Sequence, residues 1–337
     1  MPKQLSLLFL AATLLLCGTT AAGAERCDND GEIRFLCGLT NGEDLVRLPG
    51  TQWVIASSMV DEGALYAIDT GSGSISRIFP AAAAGSDQDQ IRFGACPGPL
   101  SSRFRPHGLA VRAGTGANPT LYAVGHGDRE AVEIFDVETS GTLPRLTWRG
   151  CVVAPGGVSL NSVTPLPEGG FVATNFNTRG GQLWEWHAAL GWNVVPGSEM
   201  RGPNGIVASA DGRWLFIGGW VDQAVVRLSR GQQPVQKAVV SVGFHVDNVR
   251  WAADGTLLAA GQYGAAGASI GRCLNGGNCQ GVASRAARVD PETLKVEQLI
   301  NYPSSQRLVF GTVALQVGNE IWLGGIAGGE RIARFYP

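Results

Sequence analysis

The chain has 337 residues, of which 16% are charged and 48 are glycine, and its formal net charge is −2. That balance gives no basic field for nucleic acid and no acidic, solvating tail. Low charge with abundant glycine argues against a helical bundle and for many short strands joined by tight turns.

The chain opens MPKQLSLLFLAATLLLCGTTAAGAE. Lys3 is a short positive region, Leu5 to Leu16 is apolar but short for a bilayer, and Ala22-Gly23-Ala24 is a small-x-small cleavage site. Residues 1–24 are therefore expected to be a secretory signal cut after Ala24, with 25–337 forming one secreted or periplasmic domain. An anchoring helix is the rival for this stretch; Cys17 follows three leucines, not the small residue a lipoprotein site needs. No later stretch is apolar enough to cross a membrane. DNDGE at residues 28–32 resembles part of a calcium loop, but its glycine is misplaced and Arg34 intrudes, so it reads as a turn.

From residue 43 onward the chain repeats one pattern: a polar residue, a short apolar strand, a turn, a second apolar strand and a third strand. EDLVRLPGTQWVIASSM starts at Glu43 and is followed by GALYAID. HGLAVRAGTGANPTLYAVGHGDREAVEIFDVE starts at His107, NSVTPLPEGGFVATNF at Asn161 and NGIVASADGRWLFIGGWVDQAVVRLSR at Asn204. DNVRWAADGTLLAAGQ starts at Asp247 and FGTVALQVGNEIWLGGIAGGERIARF at Phe310. Asp211-Gly212 and Asp254-Gly255 are hairpin signals. Six units spaced 43 to 64 residues apart, without helical segments between them, predict an all-β fold. It is a six-bladed β-propeller with four-stranded antiparallel blades around a central channel, in a single domain. Among the cysteines left after cleavage, local pairing is expected: Cys27–Cys37, Cys96–Cys151 and Cys273–Cys279. A zinc site is the weaker alternative, because no Cys-x-x-Cys pair occurs and no histidine lies near these cysteines.

In a propeller the first strand of each blade lines the channel, so the strand heads converge. Glu43, His107, Asn161, Asn204 and the Asp247-Asn248 pair are thereby placed around one axis. Carboxylates with asparagine amides form an all-oxygen set, which suits calcium better than magnesium and does not suit zinc. Taken singly each residue is ordinary turn chemistry; recurrence at equivalent places is what points to an ion. His107 and His126 share one repeat, and a neutral imidazole near a metal-bound carbonyl is a good general base. His187 and His245 carry no assigned role. Phe176, Trp220 and Tyr263 are apolar candidates for the channel mouth. No Gly-x-Ser-x-Gly elbow, phosphate loop or dinucleotide fingerprint is present.

These motifs resemble the paraoxonase and gluconolactonase group of six-bladed calcium hydrolases, and most closely its paraoxonase/arylesterase branch. The likeness rests on NGEDLVRLPG, RPHGLAV, LYAVGHGDREAVEIF, LNSV, PNGI and VDNV, and spans roughly Cys37 to the end. It implies Glu43, Asn161, Asn204, Asp247 and Asn248 as ligands of a catalytic calcium, and Asp44 as a ligand of a second calcium. It also implies His107 as the base, with His126 behind it. Ser162 stands where the paraoxonases have an aspartate for the second ion, so that second site lacks one of the family's ligands here. No cysteine ends the chain, so Cys37 is expected to pair otherwise, with Cys27.

The expected function is a secreted calcium-dependent hydrolase acting on a small-molecule ester or lactone. The ion would polarise the substrate carbonyl, while His107, or a carboxylate such as Glu43 or Asp247, activates water. The alternatives are a non-catalytic propeller stabilised by calcium and a strictosidine-synthase-like propeller.

Overall fold

Each of the six sequence repeats folds into one antiparallel sheet, and the sheets follow one another in chain order around a common axis. The computed structural model describes residues 27–114, 118–327 and 330–336; the secretory signal expected at residues 1–24 lies outside the described residues. The innermost strands are Gly42–Arg47, Arg105–Arg112, Leu160–Pro165, Pro203–Ala208, His245–Trp251 and Phe310–Val317. Their partners are Trp53–Ser58, Thr120–His126, Phe171–Asn175, Trp214–Gly219, Leu257–Gly264 and Glu320–Ile326.

The inner strands pack against neighbouring blades on both faces, which explains their near-continuous apolar sequence. Leu45, Leu109, Val163, Ile206, Val249 and Val313 are all fully buried. Each such side chain contributes about 1.5–3 kcal/mol on leaving water. The hairpins expected at Asp211-Gly212 and Asp254-Gly255 join first to second strands, and both glycines have φ near +70° to +80° (69° and 81°), where a side chain would be strained.

The ring closes through the backbone. Strand Arg34–Cys37, the first of the described residues, is the outermost strand of the sixth blade, pairing Arg34 with Arg334 and Cys37 with Arg331. The three disulfides are those expected: Cys27–Cys37, Cys96–Cys151 and Cys273–Cys279. The segment at residues 28–32 is a turn, with Asp30 and Ile33 exchanging backbone hydrogen bonds at 3.0 Å. Blade two departs from four strands. The long connection from blade one lays Gly85–Ser86 alongside Arg145–Val153 as a fifth, parallel strand, and Cys96–Cys151 pins the same connection. Among the described residues no helix is long and apolar enough to cross a membrane.

Candidate functional site

Every innermost strand carries one extra residue near its start. Pairing slips by one between Gly42 and Asp44, Pro106 and Leu109, Leu160 and Val163. The same slip falls between Pro203 and Ile206, Val246 and Val249, Gly311 and Val313. A bulge twists its strand and re-aims a side chain away from regular alternation. Counted from the last paired residue, the re-aimed residues are Glu43, His107, Asn161, Asn204, Asp247 and Thr312, one per blade and all buried. The backbone groups freed by the bulges find side-chain acceptors. Asp44 N donates to Ser57 Oγ (3.1 Å), Ser162 N to Thr174 Oγ1 (2.9 Å) and Gly311 N to Ser284 Oγ (2.7 Å).

The next bulge position holds Gly108 in blade two and Gly205 in blade four. A Cβ on Gly108 would lie 2.4 Å from Asn161 O, and one on Gly205 2.5 Å from Asn248 Cα. Blades two and three, and blades four and five, therefore approach at the axis only because no side chain stands between them.

Side-chain contacts bridge the blades at this level. Asn248 Nδ2 donates to Glu43 Oε1 at 2.8 Å, and the Asn204 amide is close enough to Asp247 to favour its ionised form. His107 Nε2 stands 3.7 Å from Glu43 Oε1. Thr312 Oγ1 donates to Glu43 O at 2.6 Å. Asp247 Oδ2 accepts from Gln262 Nε2 at 2.8 Å, and Gln262 Oε1 in turn accepts from Trp220 Nε1 at 2.9 Å. Four oxygens from four blades are left buried with no hydrogen-bond partner: Glu43 Oε2, Asn161 Oδ1, Asn204 Oδ1 and Asn248 Oδ1. An unsatisfied buried acceptor costs about 1–3 kcal/mol, and oxygens without donors are what a hard cation recruits. Among the described residues no three His, Cys, Asp or Glu side chains form a metal-binding cluster. The candidate cage is two carboxylates with three amides.

Burial strongly perturbs the charges here. The Glu43 carboxyl is raised well above its usual range by burial and by the nearby Asp44 and Asp247, against the Asn248 hydrogen bond and Arg250. Asp247 is pushed up to about 7 by burial, against the Gln262 hydrogen bond. His107 is held well below the usual imidazole value by burial, then by His126 and Arg105, so it is neutral at neutral pH.

His107 Nδ1 meets His126 Nε2 at 2.9 Å, and His126 Nδ1 meets Glu130 Oε2 at 2.8 Å. Glu130 and Gln262 escaped the sequence reading. Gln262 was detectable: it pairs across to the head of its blade's inner strand, at His245, as His126 does at Arg105.

Asp44 sits apart from the cage. Its Oδ2 accepts from Arg250 Nη2 and from Leu109 N (2.7 Å), and its Oδ1 from Leu45 N (2.8 Å). The same buried guanidinium donates to Leu45 O (3.0 Å), Val249 O (2.8 Å) and Leu109 O (3.1 Å). A cation is thus already supplied to Asp44 by the chain itself, at the residue for which the family resemblance implies a second calcium.

The aromatic candidates lie on the cage side, at or just past the ends of the second strands. Phe176 meets Trp220 edge-on at 6.3 Å, and Tyr263 lies beneath Arg285 at 3.6 Å. The His245 ring lies tilted against Trp220 and bonds its carbonyl through Nδ1 at 2.7 Å, and His187 bonds Glu185 at 2.8 Å. The large cavity of about 540 Å³ lies at the other end of the channel, among Leu109, Val163, Val207, Trp251 and Leu315. It offers apolar walls and none of the cage oxygens, so cavity size does not mark the chemistry here.

No family model and no curated protein matches this chain. Solved structures do. A protein named as a candidate gluconolactonase superposes with a TM-score of 0.56 at 16% identity, over 90% of this chain and 91% of that one. A luciferin-regenerating enzyme gives 0.53 at 11% identity, over 89% and 92%. Hydrazine synthase from Kuenenia stuttgartiensis gives 0.52 at 13%, over 85% and 74%. At these identities the likeness is one of fold.

Proposed function

We propose that this protein is a calcium-dependent hydrolase of esters or lactones, of the paraoxonase/arylesterase kind, acting outside the cytoplasm. The observation that carries the reading is the set of four partnerless buried oxygens, from Glu43, Asn161, Asn204 and Asn248, one from each of four blades. With Asp247 they would make a hard, oxygen-only ligand set of the kind calcium takes, and Arg250 beside Asp44 favours a single ion over two. The bound ion would act as a Lewis acid on the substrate carbonyl.

The chain's own groups do the rest. His107, neutral and beside Glu43, takes the proton from the attacking water. Gln262 holds Asp247 in place, and Trp220 holds Gln262. Phe176, Trp220 and Tyr263 give the mouth an apolar, aromatic side that suits a lipophilic or aromatic acyl group better than a sugar. Export is supported by the three disulfides, which persist in oxidising compartments.

Turnover of phenyl acetate and a panel of lactones, with and without a chelator, tests this reading. Activity is expected to vanish on chelation while the β-sheet circular dichroism persists. His107→Gln is expected to lower kcat by about 10²–10⁴-fold; a fall of less than about threefold removes His107 as the base. Calcium binding with no turnover of any ester or lactone would instead identify a binding propeller.

A further inference from the structure

We infer that Glu130 is a positioning residue: it fixes the tautomers of His126 and His107 so that the ring nitrogen of His107 facing the cage carries no hydrogen. The inference deepens the hydrolase reading, in which His107 accepts a proton.

Glu130 lies between the second and third strands of blade two, and its two carboxylate oxygens have different partners. Oε2 faces His126 Nδ1 at 2.8 Å, and Oε1 accepts from Leu160 N, in blade three, at 2.5 Å. Its backbone carbonyl also accepts from Ala154 N at 2.9 Å, so the residue is fixed at three points. The other charged side chains of the same turn are committed elsewhere: Asp128 to Ser101 and Arg103, Arg129 to Glu133. Glu130 alone faces the histidine.

The hydrogen positions then follow in order. A carboxylate oxygen is an acceptor, so the contact with Oε2 puts the His126 hydrogen on Nδ1. With that one hydrogen on the ring, Nε2 is an acceptor, and the 2.9 Å contact then has His107 donating from Nδ1. His107 Nε2 is left bare, 3.7 Å from Glu43 Oε1. Glu43 by itself would favour the opposite arrangement, with His107 Nε2–H directed at its carboxylate. The direction of the relay is thus set from its outer end, by a residue on the far side of His126 from His107. Leu160, the second partner of Glu130, directly precedes Asn161, so one carboxylate ties the histidine pair to a strand head of the cage.

Glu130→Gln separates charge and polarity from shape. Glutamine has one acceptor oxygen; if Leu160 N–H keeps it, the NH2 end faces His126 Nδ1 and both rings must reverse. The four histidines permit assignment by single substitution in ¹⁵N-labelled protein. In the wild type, ring-nitrogen spectra at neutral pH are expected to show His107 and His126 protonated at Nδ1. In Glu130→Gln they are expected to show both protonated at Nε2, with kcat lowered about 10²–10⁴-fold and with KM and the calcium-induced rise in Tm within about twofold of wild type. A wild-type His107 protonated at Nε2 overturns the inference without any variant. So does a Glu130→Gln protein with reversed rings and unchanged kcat. A wild type with the expected tautomers but no hydrolysis supports the positioning and overturns the hydrolase reading instead.

Discussion

An asparagine has two amide hydrogens and one carbonyl oxygen, and in this cage the hydrogens are the committed half. Asn248 donates to Glu43, and its carbonyl oxygen and that of Asn204 are left buried without partners. The Glu43 carboxylate thus orients an amide as well as supplying charge. Both carboxylates of the cage are also protonated more readily than usual. Asp247, pushed up to about 7, keeps a proton between about pH 4 and 7 that the unfolded chain has released. For the protein by itself, stability therefore falls as pH rises through that window. Calcium needs the ionised form, so its affinity falls about tenfold per pH unit below about 7. The calcium-induced rise in Tm is expected to be large at pH 8 and to fade by pH 5. Equal shifts at both pH values, measured by thermal melts with and without the ion, would contradict this assignment of Asp247.

At the scale of the strand, the device that builds the site is a bulge repeated at one register position in all six blades. It depends on thin backbone at Gly108 and Gly205. Gly205→Ala would set a methyl group 2.5 Å from Asn248 Cα, pushing the blade-five bulge off the axis. Calcium affinity is expected to fall more than tenfold with a stability loss of about 1–3 kcal/mol, read by titration calorimetry and denaturant melts; wild-type affinity would show that the approach of blades four and five does not shape the cage. These strands also show what could be read without coordinates. The strand heads were legible because a polar residue between a turn and an apolar run stands out against a period of about one blade. The supporting contacts were not. Arg250 lies mid-strand in an apolar stretch, and its partner Asp44 is 206 residues away, so only the ring geometry reveals that they meet. Glu130 sits four residues beyond His126, but whether a loop residue turns toward it depends on backbone direction, which neither spacing nor composition encodes.

The whole ring is held by cross-axis and terminal ties. Arg250, in blade five, bonds Asp44 and Leu45 in blade one and Leu109 in blade two. Arg250→Met would strand a buried carboxylate, and a loss of about 3–5 kcal/mol is expected; Asp44→Asn in the same chain should restore part of it in denaturant melts. A double variant no more stable than Arg250→Met would mean that the pair is not the bolt. The other tie has a consequence in time. Because Arg34–Cys37 pairs with Arg331–Phe335, a strand made before every other described strand of the ring must wait for one made after all of them before it has a partner. Until then the toroid is an open arc with a bare edge at each end, and a chain stopped a few dozen residues early has no way to shut it. The meeting of these two distant strands is the latch that shuts the ring.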